Sequence, residues 1–219
     1  MRIPFHTSFV IASLSFLLSA CSESFTDPRD GQSYDVVKIG DLTWMAENLK
    51  YETETSACPD GDSRNCKRLG RLYTWAEAKT VCPKGWRLPT KADFEALVIA
   101  APGNVAQSRT GNSGAVSNKV GAKLKSRDGW FKKGNGSDEF GFNALPAGYR
   151  GAISKADDGA ITGGKFDGIG GYAYFWSATE DAENPESNAY YLFLSFGSDE
   201  ASLNAFAKAD YRSVRCVMP

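Results

Sequence analysis

The sequence has almost no histidine, the residue that most often acts as a general base near neutral pH. Its single histidine is His6, so the chain beyond the first 20 residues has none. A Ser-His-Asp triad or a Cys-His pair would therefore lack its base. Zinc and iron sites built on histidine would lack their ligands in the same way. We expect no cofactor and a protein that is not an enzyme.

An excess of either charge is also missing. The 25 basic and 26 acidic residues give a formal net charge of -1. This balance cannot neutralise a phosphate backbone, so nucleic acid is not an expected partner. The sequence contains no P-loop, dinucleotide fingerprint or G-x-S-x-G motif. The glycine-rich residues 168–171 are too short for a phosphate cradle, and we interpret them as a mobile loop.

No apolar run reaches the roughly 20 residues that a membrane-spanning helix needs. The apolar residues 9–18 follow Arg2 and precede Ser19-Ala20-Cys21, an order typical of an export signal. Residues 18–21 resemble the lipobox of bacterial lipoproteins. That resemblance implies cleavage before Cys21 and acylation there, with palmitate among the acyl chains, and several acyl chains hold a protein on a bilayer. Serine after Cys21 resembles lipoproteins that are sorted to an outer membrane.

We divide the chain into a signal peptide (1–20), a lipid-anchored tether (21–30) and one domain (31–219). The domain holds an even set of cysteines, as expected for disulfides in an oxidising compartment. Three pairings are open, and the residues alone do not decide among them. Cys58 and Cys66 bracket a polar loop suited to local closure, which would leave Cys82 to pair with Cys216. The spacing lacks the paired C-x2-C pattern of zinc sites. The four are Cys58, Cys66, Cys82 and Cys216.

Helices early in the chain and short antiparallel strands late predict an α+β domain with two or three short helices and long loops. Thr90 is the expected N-cap of one helix, with Asp93 completing a capping box. Residues 51–70 have no periodicity and predict an irregular segment. Helices are predicted at residues 72–81, 90–101 and 116–124. Strands are predicted at residues 34–39, 42–45, 140–142, 173–177, 189–196, 203–207 and 213–217.

Three aromatic residues stand beside glycine or polar residues, which is typical of loops. Trp130, Tyr149 and Tyr172 are therefore candidates to stack on a sugar or to contact a protein partner, with burial in the core as the alternative. The other four tryptophans are expected in the core. An acidic loop offers a second candidate site, for calcium, although a solvated turn without metal is the preferred interpretation. Its oxygen-bearing residues are Glu180, Asp181, Glu183 and Asn184.

Five segments occur in an order that is typical of a known family. They are residues 37–49, 70–75, 82–90, 175–180 and 213–217. Together they resemble the Fibrobacter succinogenes major paralogous domain, found largely in lipoproteins, over residues 27–219. The Gly-Trp-Arg-Leu-Pro-Thr sequence also resembles the formylglycine-generating family, which implies a C-type-lectin-like architecture. In that architecture a cysteine near the first helix bonds one in the last strand, which implies Cys82 with Cys216.

The resemblance implies neither the enzyme's activity nor lectin-type calcium binding. Four cysteines in disulfides leave no pair for copper, and the Glu-Pro-Asn and Trp-Asn-Asp motifs of lectins are missing. Arg87 and Arg215 lie in semi-apolar segments, and we expect each to pair with a carboxylate because a buried unpaired arginine is costly. Glu47 and Glu180 are the candidate partners. We interpret all four as residues that fix the fold.

The sequence therefore predicts a membrane-anchored lipoprotein with a non-catalytic domain for binding or surface display. Its expected ligand is a carbohydrate or a protein. One alternative is a carboxylate-dependent hydrolase of envelope or extracellular polysaccharide, which needs no histidine. Another is a structural envelope protein without a small ligand.

Lipidation predicts the mass of the mature protein. Mass spectrometry of the purified protein should show a chain that begins at Cys21 and carries acyl groups there. An intact N-terminus, or an unmodified residue at this position, would contradict the predicted anchor and the compartment that follows from it.

Overall fold

The structure is a computed structural model that describes residues 23–100, 119–156 and 160–219. The signal peptide, Cys21 and parts of the second and third predicted helices lie outside the described residues. No helix among the described residues is both long and apolar enough to cross a bilayer. The described helices are α1 (Ser63–Leu69), α2 (Trp75–Ala78), α3 (Lys91–Ala100) and α4 (Val120–Leu124). The described strands are β1 (Glu23–Thr26), β2 (Ser33–Ile39), β3 (Leu42–Met45), β4 (Leu72–Tyr73), β5 (Ala147–Arg150), β6 (Ile153–Lys155), β7 (Ile161–Gly163), β8 (Phe166–Ile169), β9 (Tyr172–Glu180), β10 (Asn188–Ser195), β11 (Ala201–Ala207), β12 (Arg212–Ser213) and β13 (Val217–Met218).

The strands form two larger sheets and two small hairpin-like pairs. The larger sheets have the orders β11-β10-β9-β12-β4 and β1-β2-β3-β13, and the pairs are β5-β8 and β6-β7. Pairing is antiparallel except where β12 meets β9 through Ser213 and Phe175. The predicted α+β class is therefore confirmed.

The core lies between the five-stranded sheet and the helices. Ala173 and Phe175 of β9, together with Leu192 and Leu194 of β10, pack against side chains of α3 and α4. This alternation follows from the pleat of a strand, which sends successive side chains to opposite faces. The tryptophans expected in the core are buried, with exposed fractions of 8% or less: Trp44, Trp75, Trp86 and Trp176.

Two local predictions are confirmed in detail. β2 and β3 form the expected hairpin, with Ile39 opposite Leu42. α3 begins after Thr90, whose backbone N–H donates to Asp93 Oδ2 at 2.6 Å, while Asp93 N–H donates to the Thr90 hydroxyl at 3.2 Å. Both features depend on neighbouring residues only, which is why local sequence signals found them.

Other local predictions were wrong where long-range contacts decide the conformation. The tether was expected to span residues 21–30, but β1 within it pairs with β2. Leu72 and Tyr73, predicted as helix, form β4 and pair with β12. The segment expected to be irregular contains α1, which Asp62 caps by accepting from Arg64 N–H.

The late strands also differ from prediction. Residues 140–142 form no strand, and residues 213–217 divide into β12 and β13, which belong to different sheets. The glycine-rich residues 168–171 end β8 and form the turn into β9, in which Gly171 N–H donates to Gly168 O at 2.9 Å.

Two disulfides cross-link the domain. Cys58 is bonded to Cys66 across 8 residues, and Cys82 is bonded to Cys216 across 134 residues. The pairing implied by the family resemblance is confirmed. The long loop closes the segment before α3 onto the end of the chain.

Arg215 is fully buried, and the expected pairing with a carboxylate was wrong. Its Nε donates to Asn48 Oδ1 at 2.8 Å, and Nη1 donates to Met45 O at 3.1 Å and to Phe142 O. Nη2 donates to Asn143 O at 2.7 Å. Burial lowers the pKa of Arg215 to about 9, so the group remains charged at neutral pH. Neutral oxygens on separate segments therefore surround a buried cation.

The other three charges form different pairs from those expected. Arg87 Nη1 lies 2.6 Å from Asp93 Oδ2, which links the start of α3 to the segment before it. Glu47 pairs with Lys50 at 2.8 Å, and Glu180 pairs with Lys208 at 2.8 Å. Sequence proximity explains the first two pairs. Glu180 meets Lys208 because β9 and the end of β11 flank β10.

The two disulfides should differ in their effect on stability. In the chain-entropy model, replacing Cys82 and Cys216 by alanine lowers the free energy of unfolding by about 5 kcal/mol, because the loop is long. The matched Cys58→Ala, Cys66→Ala variant should lose about 2.5 kcal/mol. Urea unfolding without reductant measures both, and an equal loss would contradict the loop-length account.

Arg215→Met should destabilise the domain by at least about 3 kcal/mol, because several buried oxygens lose their donors. Arg64→Met is the control, since Arg64 has an 89% exposed side chain paired only with Asp62. Its loss should be far smaller, because an exposed ion pair contributes little to stability. Thermal unfolding of both variants checks the prediction, which fails if the two midpoints shift equally.

Candidate functional site

One face of the five-stranded sheet carries a row of aromatic side chains. The strand alternation that buries Phe175 and Leu192 turns the neighbouring side chains outward, where they are only partly buried. β5 and the loops beside the sheet add further rings. We call this surface the aromatic face; it consists of Phe131, Tyr149, Tyr172, Tyr174, Tyr191, Phe193, Phe196 and Phe206.

The rings of the aromatic face touch one another in a continuous series. The centroids of Tyr149 and Tyr174 lie 5.4 Å apart, and those of Tyr174 and Tyr172 lie 6.1 Å apart. Tyr172 is 6.1 Å from Phe196, which is 6.3 Å from Phe131. These spacings lie within the range of favourable aromatic contacts. Each ring of this series is thus in contact with at least one other ring of the face.

A cavity of about 180 Å³, which we call the arginine cavity, opens at one end of this face. Arg212 of β12 lies at its base, with its guanidinium carbon 4.3 Å from the ring centroid of Tyr191 and 5.1 Å from that of Tyr174. Cation–π attraction therefore stabilises the charge among the rings. The lining residues are Tyr149, Tyr174, Tyr191, Phe206, Asp210 and Arg212.

The guanidinium of Arg212 is incompletely hydrogen-bonded. Its Nη2 donates to Asp210 Oδ2 at 3.0 Å, but Nε is buried and has no acceptor among the described residues. Burial lowers the pKa of Arg212 below its ordinary value. An unmet donor on a buried charged group costs about 1–3 kcal/mol. Arg212 therefore adds a buried positive charge with one unmet donor to the lining of the cavity.

The tyrosines add polar groups to the apolar rings. In the part of the chain that the structure describes, the hydroxyls of Tyr149, Tyr172, Tyr174 and Tyr191 have no hydrogen-bond partner. Burial raises the pKa of Tyr174 and of Tyr191 above the ordinary value. Both phenols are consequently neutral at physiological pH and can donate as well as accept.

A second cavity, of about 390 Å³, opens beside Tyr172. We call it the phenylalanine cavity, since Phe131, Phe166 and Phe196 line it together with Asp60 and Asp167. Neither carboxylate has an ion-pair partner among the described residues.

Two glycines form the support of this cavity. A Cβ at Gly170 would lie 2.4 Å from the ring of Phe131, and one at Gly168 would lie 2.6 Å from the ring of Tyr172. Both have positive φ, the conformation that favours glycine. The glycine cluster that the sequence suggested as a mobile loop thus positions two rings.

The structure places the three predicted aromatic candidates in different environments. Tyr149 and Tyr172 lie on the aromatic face, in different cavities. Trp130 does not: it is 5% exposed, and its indole N–H donates to Ser126 Oγ and to Ala144 O. Its position beside Gly129 suggested a loop, but long-range packing places the ring in the core.

Sequence reasoning missed the other six rings of the face and the ion pair of the arginine cavity. They are Phe131, Tyr174, Tyr191, Phe193, Phe196 and Phe206, with Asp210 and Arg212. The available signal was the alternation in β9 and β10, where aromatic side chains occupy the positions opposite the core face. Arg212 and Asp210 gave no such signal, because only the pairing of β12 with β9 brings them beside the tyrosines.

The acidic loop does not gather its oxygens around one point. Glu180 pairs with Lys208, and buried Asp181 accepts from the backbone N–H of Glu183 and from Asn184 Nδ2. No group of three His, Cys, Asp or Glu side chains with metal-binding geometry occurs among the described residues. The calcium candidate therefore receives no geometric support.

Comparison with known proteins identifies the family. The model of the Fibrobacter succinogenes major domain matches residues 37–218. The chain belongs to this family. No curated protein and no solved structure matches it. Within this Fibrobacter succinogenes major domain lie all the strands of the aromatic face, both residues of the Arg212–Asp210 pair and both disulfides.

Proposed function

We propose that this domain is a non-catalytic carbohydrate-binding module displayed on a membrane by lipid at Cys21. The observation that carries the binding part is the arginine cavity. A buried guanidinium with an unmet donor lies beside a carboxylate, within a wall of aromatic rings. A sugar unit suits this arrangement because its C–H face stacks on a ring while its hydroxyls bond to the rim.

The charge of the cavity favours a neutral sugar over a charged ligand. Arg212 Nη2 lies 3.0 Å from Asp210 Oδ2, so the two side chains together have no net charge. Adjacent hydroxyls can donate to the carboxylate and accept from the guanidinium, and the tyrosine hydroxyls offer further bonds. A purely apolar protein partner would leave these groups without partners, at an energetic cost.

The same cavity supports binding more than hydrolysis. Glycoside hydrolysis by carboxylates uses two of them on either side of the scissile bond. Asp210 is the only carboxylate among the described residues that line the arginine cavity, and it is occupied by Arg212 and by Ala152 N–H at 3.0 Å.

Anchoring and location are proposed from the sequence and are consistent with the fold. We propose an exported, outer-membrane lipoprotein whose signal ends before Cys21. β1 begins at Glu23, so the folded domain starts two residues after the proposed anchor. Two disulfides suit an oxidising compartment outside the cytosol.

We further propose a C-type-lectin-like architecture for the domain. The support is the disulfide between Cys82, which precedes α3, and Cys216, which precedes β13. This joins an early helix region to the last strand, as the resemblance implied.

Binding should be lost when rings of the arginine cavity are removed. Full-length protein in detergent is applied to a glycan array, and the best glycan is titrated by calorimetry. Tyr149→Ala and Phe206→Ala should each weaken binding about fivefold, because each removes one stacking surface. Phe206 is 56% exposed, so its removal leaves the core intact.

Ile99→Ala is the matched control, because Ile99 is 61% exposed on α3, outside the aromatic face. It should bind as the unaltered protein does. Absence of any glycan signal, or equal binding by all three variants, would reject the proposed carbohydrate site.

A further inference from the structure

The aromatic face extends well beyond the arginine cavity. We infer that its ligand is a linear oligosaccharide or polysaccharide chain, and that the phenylalanine cavity is a second subsite for the same chain. This inference rests on the proposed function and adds the length and direction of the ligand.

The first argument is continuity between the two cavities. Tyr174 lines the arginine cavity and Tyr172 lines the phenylalanine cavity, and both project from β9 with centroids 6.1 Å apart. Phe193 of β10 stacks beside both, at 5.8 Å from Tyr172 and 5.1 Å from Tyr174. An unbroken surface of rings therefore connects the cavities.

The second argument is the exposure of Phe131. Its side chain is 53% exposed, although a large apolar residue gains stability from burial. Gly170 leaves space for the ring because it has no Cβ. The backbone N–H of Phe131 donates to Gly170 O at 2.7 Å, so the local structure holds the ring in this exposed position. A ring held at the surface beside an open cavity is suited to stacking.

The third argument is the polar rim of the phenylalanine cavity. Asp60 and Asp167 line it, and neither forms an ion pair among the described residues. Carboxylates accept strongly from hydroxyl groups. Rings on the wall and acceptors on the rim repeat the chemistry of the arginine cavity, as expected for equivalent units of one chain.

Lys132 also lies near this rim, with Nζ 5.3 Å from the ring centroid of Phe196. A cation–π contact therefore adds one positive charge beside the wall of the phenylalanine cavity.

Length dependence tests the inference. Full-length protein in detergent is titrated with cello-oligosaccharides and malto-oligosaccharides, from disaccharide to hexasaccharide. In the series that binds, the hexasaccharide should bind about tenfold more tightly than the disaccharide, since additional rings are stacked. Phe131→Ala should remove this gain and leave disaccharide binding unchanged, whereas Phe206→Ala should weaken both.

Asp60→Asn and Asp167→Asn give a second test without removing a ring. Asp60 has φ of 55°, which asparagine tolerates well. Each should weaken only the longer ligands. Equal affinity for short and long chains, unaffected by Phe131→Ala, would overturn the second subsite while leaving the proposed function intact. Failure of every oligosaccharide in both series to bind would overturn the inference, and an empty glycan array would show that the proposed function had failed as well.

Discussion

The buried guanidinium of Arg215 joins segments of the fold that are far apart in sequence. It donates to oxygens of Met45 at the end of β3, of Asn48, and of residues 142–143. Its guanidinium carbon also lies 5.2 Å from the ring centroid of Phe175 in β9. Because the acceptors are neutral, the charge is solvated by the protein in place of water. The same guanidinium therefore connects these segments to β9, the strand that carries Tyr172 and Tyr174 of the aromatic face.

Arg212 and Arg215 lie in different environments although they are close neighbours in sequence. Arg215 turns towards the core and completes its hydrogen bonds there. Arg212 turns to the opposite side of the sheet, where rings surround it and one donor remains unmet. A guanidinium with its hydrogen bonds met in the core and one with an unmet donor therefore lie three residues apart. The Cys82–Cys216 disulfide restrains the same stretch of chain.

The aromatic face is built as a surface for stacking. Tyrosines dominate its centre, and each combines a flat apolar ring with a hydroxyl that the described protein leaves unbonded. Gly168 and Gly170 leave space for the rings of Tyr172 and Phe131, which a larger residue would displace. Such a preformed surface loses little conformational entropy on binding. These properties fit the extended, hydroxyl-rich ligand that we propose.

Sequence alone determined the features that depend on neighbouring residues. The hairpin of β2 and β3, the cap of α3 by Thr90 and Asp93, and the alternation along β9 and β10 all follow from local geometry. The family was also evident from the order of its motifs, and the resemblance implied the disulfide between Cys82 and Cys216.

Tertiary structure decided what depends on distant partners. Leu72 and Tyr73 form a strand because they pair with β12. Trp130 is buried in the core, where its indole N–H donates to Ser126 and Ala144. Arg215 donates to neutral oxygens and not to the expected carboxylate. Arg212 lies beside the tyrosines only because β12 pairs with β9. A sequence pattern records the preferences of each residue, but not which residues from distant segments will surround it.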